Sequence, residues 1–258
     1  MQDFNYHTHT KLCKHAIGEM EEYVVKAIEN GFNTLGFSDH IPYPDNPFDD
    51  RMDMEELDYY LNEFKRLKEK YSGQIQLYVG FESEYFKGLD DYYRMMRNKV
   101  DYLILGQHYQ DISGLDFYFG CTDNQLKIYL NLIYEAIESN LFKYVCHLDY
   151  YMINRSTSGA ESEFDRLLSL IKEKDLIVEI NLKGLLKGKR EIDGVLQHPY
   201  PLKKTFEMIK KYDIRCVYGL DVHNPIIFDD YQKNLAIVNS YLSDLDLKME
   251  SNLSICDL

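Results

Sequence analysis

The chain has 258 residues, with 43 acidic side chains against 29 Lys and Arg, a formal net charge of -14, and 45% hydrophobic residues. That balance belongs to a folded globular chain, and its length suits one barrel-sized domain or two smaller ones. It excludes disorder, and the acidic excess argues against a nucleic-acid binder, which needs a basic face to replace counterions. No apolar run approaches the ~18 residues of a transmembrane helix. The opening Met1-Gln2-Asp3-Phe4-Asn5-Tyr6-His7 lacks a basic start and an apolar signal core, so a cytoplasmic protein is expected. The five cysteines, Cys13, Cys121, Cys146, Cys216 and Cys256, form no CxxC pair. Reduced thiols rather than a disulfide framework or a zinc knot are the expectation.

In chain order, short β-branched or aromatic runs alternate with longer segments of helical period. Strands are predicted over Asp3–His7, Thr34–Phe37, Gln76–Val79, Tyr102–Leu105, Tyr144–Cys146, Ile177–Ile180 and Arg215–Tyr218. The intervening helices are predicted over Met20–Asn30, Met54–Tyr71, Leu89–Arg97, Asn124–Ser139, Glu161–Lys174, Leu202–Lys211 and Tyr231–Leu242. In the first helix Tyr23, Val24, Ala27 and Ile28 make an apolar stripe opposite Glu21, Glu22, Lys26 and Glu29, and Gly31 supplies the stop. Seven βα units fall close to the ~250 residues of a TIM-type barrel. No Pro-, Ser- or Gly-rich linker divides them. The expected fold is therefore one α/β domain over residues 1–258, a TIM-like barrel one unit short of eight; the same pattern also fits a doubly wound open sheet.

Of eight histidines, His7, His9, His40, His108, His147 and His223 fall at or just past the C-terminal end of a predicted strand; His15 and His198 do not. In a parallel barrel those ends open on one face, where active sites are built. His7-Thr8-His9 sets two imidazoles about 7 Å apart on one side of an extended segment, able to converge on one cation. Asp221-Val222-His223 pairs an oxygen with a nitrogen ligand at the last strand, and Gly80-Phe81-Glu82-Ser83-Glu84 brings a carboxylate able to bridge two ions to the third. Taken singly, an HxH, a DxH or a lone histidine has an ordinary structural explanation. Six strands each delivering such a ligand to one face point to a metal cluster.

These motifs, in order, resemble the PHP (polymerase and histidinol phosphatase) superfamily of metal-dependent phosphoesterases. They are His7-Thr8-His9, His15, Ser38-Asp39-His40, Gly80-Phe81-Glu82-Ser83-Glu84, Gly106-Gln107-His108, His147-Leu148-Asp149 and Gly219-Leu220-Asp221-Val222-His223. The stretch Glu179-Ile180-Asn181, Gly184, Lys187, Lys189, Arg190 and His198-Pro199-Tyr200-Pro201 is similar to the monofunctional histidinol phosphatase branch. Val222 replaces the branch's commoner alanine without touching either ligand. The resemblance implies a distorted seven-stranded (β/α)7 barrel and a site for three divalent ions. His7, His9, Glu82 and Asp221 would hold the first, Glu82 with His108 and His147 the second, and His15, His40 and His223 the third. Mixed imidazole and carboxylate ligands suit zinc, iron or manganese.

The implied reaction is hydrolysis of L-histidinol phosphate in histidine biosynthesis, by metal-activated hydroxide attacking a phosphate monoester. Arg155 and Arg190 are candidates to clamp the phosphate, and Asp149 to orient His147 or meet the leaving group. Glu179 and Asn181 are candidates to read a substrate ammonium or hydroxyl, and Asp39 to support the ligands from behind. The partner expected is thus a small phosphate monoester, with no nucleic acid or membrane; a homo-oligomer is compatible with the sequence. A phosphoesterase for a nucleotide, sugar phosphate or phosphotyrosine is the alternative, and a polymerase accessory module or a structural metal protein stands further off.

Overall fold

The computed structural model describes residues 2–117, 121–151 and 159–255; Arg155 and Cys256 lie outside them. Strands β1 (Phe4–Asn5), β2 (Thr34–Phe37), β3 (Gln76–Ser83), β4 (Tyr102–Leu105), β5 (Tyr144–Val145), β6 (Ile177–Asn181), β9 (Arg215–Gly219) and β10 (Lys248–Met249) form one sheet. They pair in that order, all parallel. Helices α1 (Met20–Glu29), α2 (Leu57–Lys70), α3 (Asp90–Arg97), α4 (Asp123–Glu138), α5 (Glu161–Glu173), α6 (Lys203–Lys211) and α7 (Tyr231–Leu242) complete an α/β fold whose parallel sheet curls. The curl brings its first and last long strands together: Thr8 bridges Val222, and the His9 N–H donates to the Val222 carbonyl at 2.9 Å.

Local chemistry explains the helices. The Glu19 and Glu22 side chains cap α1 reciprocally, and Gly31 at φ 78° ends it. Met20, Tyr23, Val24 and Ala27 form the buried stripe. Thr122 and Gln125 make the same reciprocal cap on α4.

The predicted strands all appear, with two additions. The eighth strand, Lys248–Met249, pairs with Arg215 and Cys216 at the outer edge of β9; two residues offer no periodicity to read. An antiparallel hairpin, β7 (Arg190–Ile192) and β8 (Val195–Gln197), turns through Asp193 and Gly194, both at positive φ. Its Asp-Gly pair is the strongest short-range hairpin signal a sequence offers.

The main core lies between sheet and helices. A separate inner cluster holds Tyr6, Tyr78, Tyr102, Tyr144, Ile177 and Val217, joined by Leu253 and Ile255 from the C-terminal segment. The Tyr102 hydroxyl donates to the Tyr6 and Phe37 carbonyls at 2.8 and 2.9 Å, and the Tyr6 hydroxyl to the Leu253 carbonyl at 2.6 Å. Part of the tyrosine excess is thus structural, large rings whose polar tips satisfy buried carbonyls.

Candidate metal centre

Glu82 sits near the end of β3, fully buried, with five histidines around its two oxygens. Oε2 faces His7 Nε2 at 3.2 Å, His9 Nε2 at 3.1 Å and His40 Nδ1 at 3.3 Å. Oε1 faces His147 Nε2 at 2.6 Å and His108 Nε2 at 3.5 Å. One carboxylate therefore presents each oxygen to a different histidine group. Asp221 Oδ1 approaches His7 and His9 from the other side, at 3.6 and 3.5 Å. Beside them His15, His40 and His223 converge within 4.8 Å of one another. All nine side chains named as ligand candidates from the sequence come together here. His15 reaches the group from the loop after β1, whereas His198 lies elsewhere, in a groove beside α7.

The backbone is shaped to deliver these groups. His147 and Asp221 have positive φ, 22° and 49°, a conformation uncommon for non-glycine residues. Gly106 and Gly219 pack so tightly on the Glu82 and Glu179 carboxylates that a methyl group on either would overlap them.

The ring nitrogens are suited to an ion. His7 Nε2, both nitrogens of His9, His40 Nδ1 and His147 Nδ1 are buried without a hydrogen-bond partner. Orphaned polar atoms of this kind cost about 1–3 kcal/mol each unless a ligand takes them. Imidazole and carboxylate donors fit zinc, iron or manganese. The far nitrogens of two histidines are already held. His7 Nδ1 is 2.8 Å from Glu179 Oε2 and His108 Nδ1 is 2.9 Å from Glu84 Oε1, which leaves each Nε2 bare toward the centre.

Electrostatics follow the same layout. Burial raises the Glu84 carboxyl, but Arg51 and His108 outweigh it and hold the group at about 2. Burial opposes charge on His108, yet Glu82 and Glu84 raise it to about 9. Burial, then Lys183, lowers His223 to about 4. Arg51 is wholly buried, forked onto both Glu84 oxygens at 2.8 and 3.2 Å and stacked 4.2 Å from the Phe48 ring. Asp39 and Asp149 are both lifted to about 7 by burial.

Three expectations are corrected. Glu179 and Asn181 are engaged by the ligand side chains themselves: Glu179 holds His7, and the Asn181 amide donates to Glu179 at 2.5 Å and Asp221 at 3.1 Å. The strand end that carried them turned them behind the ligands. Asp149 does not orient His147. Its carboxylate accepts the Leu202 N–H at 2.6 Å at the head of α6. Arg190 opens the β7–β8 hairpin, outside the lining of the central cavity. Asp39 stands behind the loop after β1, accepting the Thr10 N–H and hydroxyl, each at 2.8 Å.

Above the cluster lies a cavity of about 290 Å³. Besides cluster residues it is lined by Asp50, Tyr109, Asp116, Tyr150, Lys183, Lys187 and Tyr200. Of these, Lys187 and Tyr200 belong to the stretch that resembles the histidinol phosphatase branch, and sequence reasoning gave the others no site role. Lys183 could have been found, because it follows β6 by two residues and strand ends feed this face. Asp50 and Arg51 belong to a long irregular loop after β2, and no spacing rule points to them.

Fold and site together define a curled parallel α/β protein with a histidine–carboxylate cluster at the strand ends. The PHP domain model matches residues 5–183, and the chain belongs to that family. A Deinococcus radiodurans protein named probable histidinol-phosphatase is 27% identical over 231 residues, 85% of each chain. The histidinol-phosphatase of Bacillus subtilis is 24% identical over 261 residues, covering 86% of this chain and 94% of that one. Among solved structures, the Lactococcus lactis histidinol phosphate phosphatase, complexed with zinc, L-histidinol and phosphate, superposes with a TM-score of 0.74. That match has 15% identity and covers 99% of this chain and 98% of that one.

Proposed function

We propose that this protein hydrolyses L-histidinol phosphate to L-histidinol and phosphate, the histidinol-phosphatase step of histidine biosynthesis. The observation that carries this reading is Glu82, whose two oxygens face separate histidine groups at the floor of a cavity sized for a small molecule. The names of the curated relatives, and the zinc, L-histidinol and phosphate held by the Lactococcus protein, supply the substrate.

In this reading His7, His9, Glu82 and Asp221 hold one ion, Glu82, His108 and His147 a second, and His15, His40 and His223 a third. Bound divalent ions supply positive charge for phosphate oxygens and lower the pKa of water near neutrality. The chain supplies the orientation. Glu179 and Glu84 set the tautomers of His7 and His108, Asn181 steadies both Glu179 and Asp221, and Arg51 keeps Glu84 ionised. Lys183 and Lys187 bring cations to the cavity wall, and Arg155 is the remaining candidate for the phosphate clamp. The Thr8–Val222 contact supports reading the sheet as a distorted seven-membered barrel to which β10 is added as an edge strand. Among the described residues no helix is long and apolar enough to cross a membrane. Divalent ions at the cluster, with Lys183 and Lys187, supply the local positive charge that draws a small phosphate monoester to a chain of net charge -14. The acidic excess argues against a nucleic-acid partner and is compatible with a cytoplasmic setting.

The test is phosphate release from L-histidinol phosphate beside nucleotides, sugar phosphates and phosphotyrosine, with and without chelator. Preference for histidinol phosphate, lost with chelator and restored by zinc or manganese, is the expected outcome. Chelator-sensitive turnover spread evenly over the other monoesters would keep the cluster and reject the substrate.

A further inference from the structure

The three ligand groups are electrically unequal. Glu82 and Asp221 stand directly among His7, His9, His108 and His147, with Glu179 and Glu84 one bond behind. The donors of the His15–His40–His223 group are neutral, and its carboxylate neighbours are shared with the other groups: His40 Nδ1 lies 3.3 Å from Glu82 Oε2 and His223 Nδ1 3.2 Å from Asp221 Oδ1. His15 is solvent-exposed, His15 and His223 lie 2.8 Å apart through their Nε2 atoms, and Cys13 beside them is a buried thiol. A cation already sits at this edge. Lys183 Nζ is 3.1 Å from Asp221 Oδ1 and 3.1 and 3.2 Å from the two ring nitrogens of His223.

The position of Lys183 follows from the fold. Its N–H donates to Asn181 Oδ1 at 2.9 Å, and the same Asn181 amide donates to Asp221 Oδ2. The chain leaving β6 is thereby clamped against the chain leaving β9. The four-carbon stem then lets the ammonium reach either the Asp221–His223 edge or the cavity it also lines. An ammonium and a divalent ion cannot share that edge, since like charges a few ångströms apart repel strongly at a partly desolvated site.

We propose that Lys183 competes with the third divalent ion. Its ammonium occupies the Asp221–His223 edge while that ion is absent, so the His15–His40–His223 position fills last. The displaced ammonium then turns to the phosphate group of the substrate. This rests on the metal assignment of the proposed function but not on the identity of the monoester.

The experiment is a zinc titration of metal-free protein by equilibrium dialysis with elemental analysis, without substrate. Wild type should bind two ions tightly and a third more weakly, and His15→Ala should bind only the tight two. Lys183→Met, and Lys183→Gln if the first variant folds poorly, should tighten the third ion by roughly ten- to a hundredfold, the scale of removing one nearby unit charge. Lys183→Arg should keep it weak. The same Met variant should weaken inhibition by inorganic phosphate. Three ions of equal affinity in wild type, or a third unchanged in both neutral variants, would overturn the proposal. Failure to hydrolyse histidinol phosphate would instead strike the substrate reading, because the titration involves no substrate.

Discussion

The two ends of the sheet use charge in opposite ways. At the C-terminal end, buried histidines and carboxylates leave ring nitrogens without hydrogen-bond partners. At the N-terminal end a concavity of about 350 Å³ is lined by Arg97, Lys143, Lys174, Asp175 and Arg215. There the cations are spent within the protein. Arg97 donates to the Val100 carbonyl, Lys174 to Asn140, and Arg215 pairs with Asp175 and Glu250. The lower end joins strand starts to helix ends, while the upper end keeps polar atoms open for a ligand. A cluster of charge marks a site only where its partners are missing.

That contrast can be broken by substitution. The largest effect belongs to Glu82→Gln, which should lower kcat/KM by about a thousandfold or more and reduce bound metal per chain. Retained metal and near-normal turnover would mean that Glu82 is only a core residue. Arg51→Met strips the buried Glu84 of its guanidinium partner and leaves only His108 against it, so urea unfolding should show a loss of about 3 kcal/mol. Glu179→Gln removes the ionised partner of His7, and metal affinity should fall about ten- to a hundredfold with little change in Tm. A parallel collapse of Tm would assign Glu179 to folding instead.

A smaller effect tests Asp39 in metal-free protein. Its folded carboxyl titrates at about 7 against an ordinary 3.8, so the folded state holds the proton more tightly. The Asp39 contribution to stability should be fullest below about 4 and fall as pH rises toward 7, and Asp39→Asn should flatten the fall between those values. An unchanged slope in urea titrations across this window would discard the assignment. The smallest effect is expected at the lower end: Arg215→Met should cost about 1 kcal/mol or less and leave kcat/KM unchanged.

The sequence by itself determined the alternation of strand and helix and the arrival of six histidines and the Glu82 and Asp221 motifs at one face, while His15 joined the candidates only through the family resemblance. Both follow from period: strand ends recur with every βα unit, and a parallel sheet opens them all on one side. Within that pattern Gly106 and Gly219 were visible but not their purpose, since a close approach shows only when both chains are placed. Tertiary structure alone decided what stands behind the ligands. Glu179 and Asn181 lie in a strand, where neighbouring side chains alternate faces, yet sequence gives no reason for them to grip His7 and Asp221 rather than a substrate. Arg51 comes from an irregular loop after β2, and Glu84 meets it only because β3 extends four residues past the predicted end, through Ser83. Lys183 has the same history: its strand-end position was legible, but the ammonium among Asp221 and His223 depends on β6 and β9 lying side by side in register. Contacts between side chains brought from separate strands depend on the path of the whole chain, and no local pattern encodes that path.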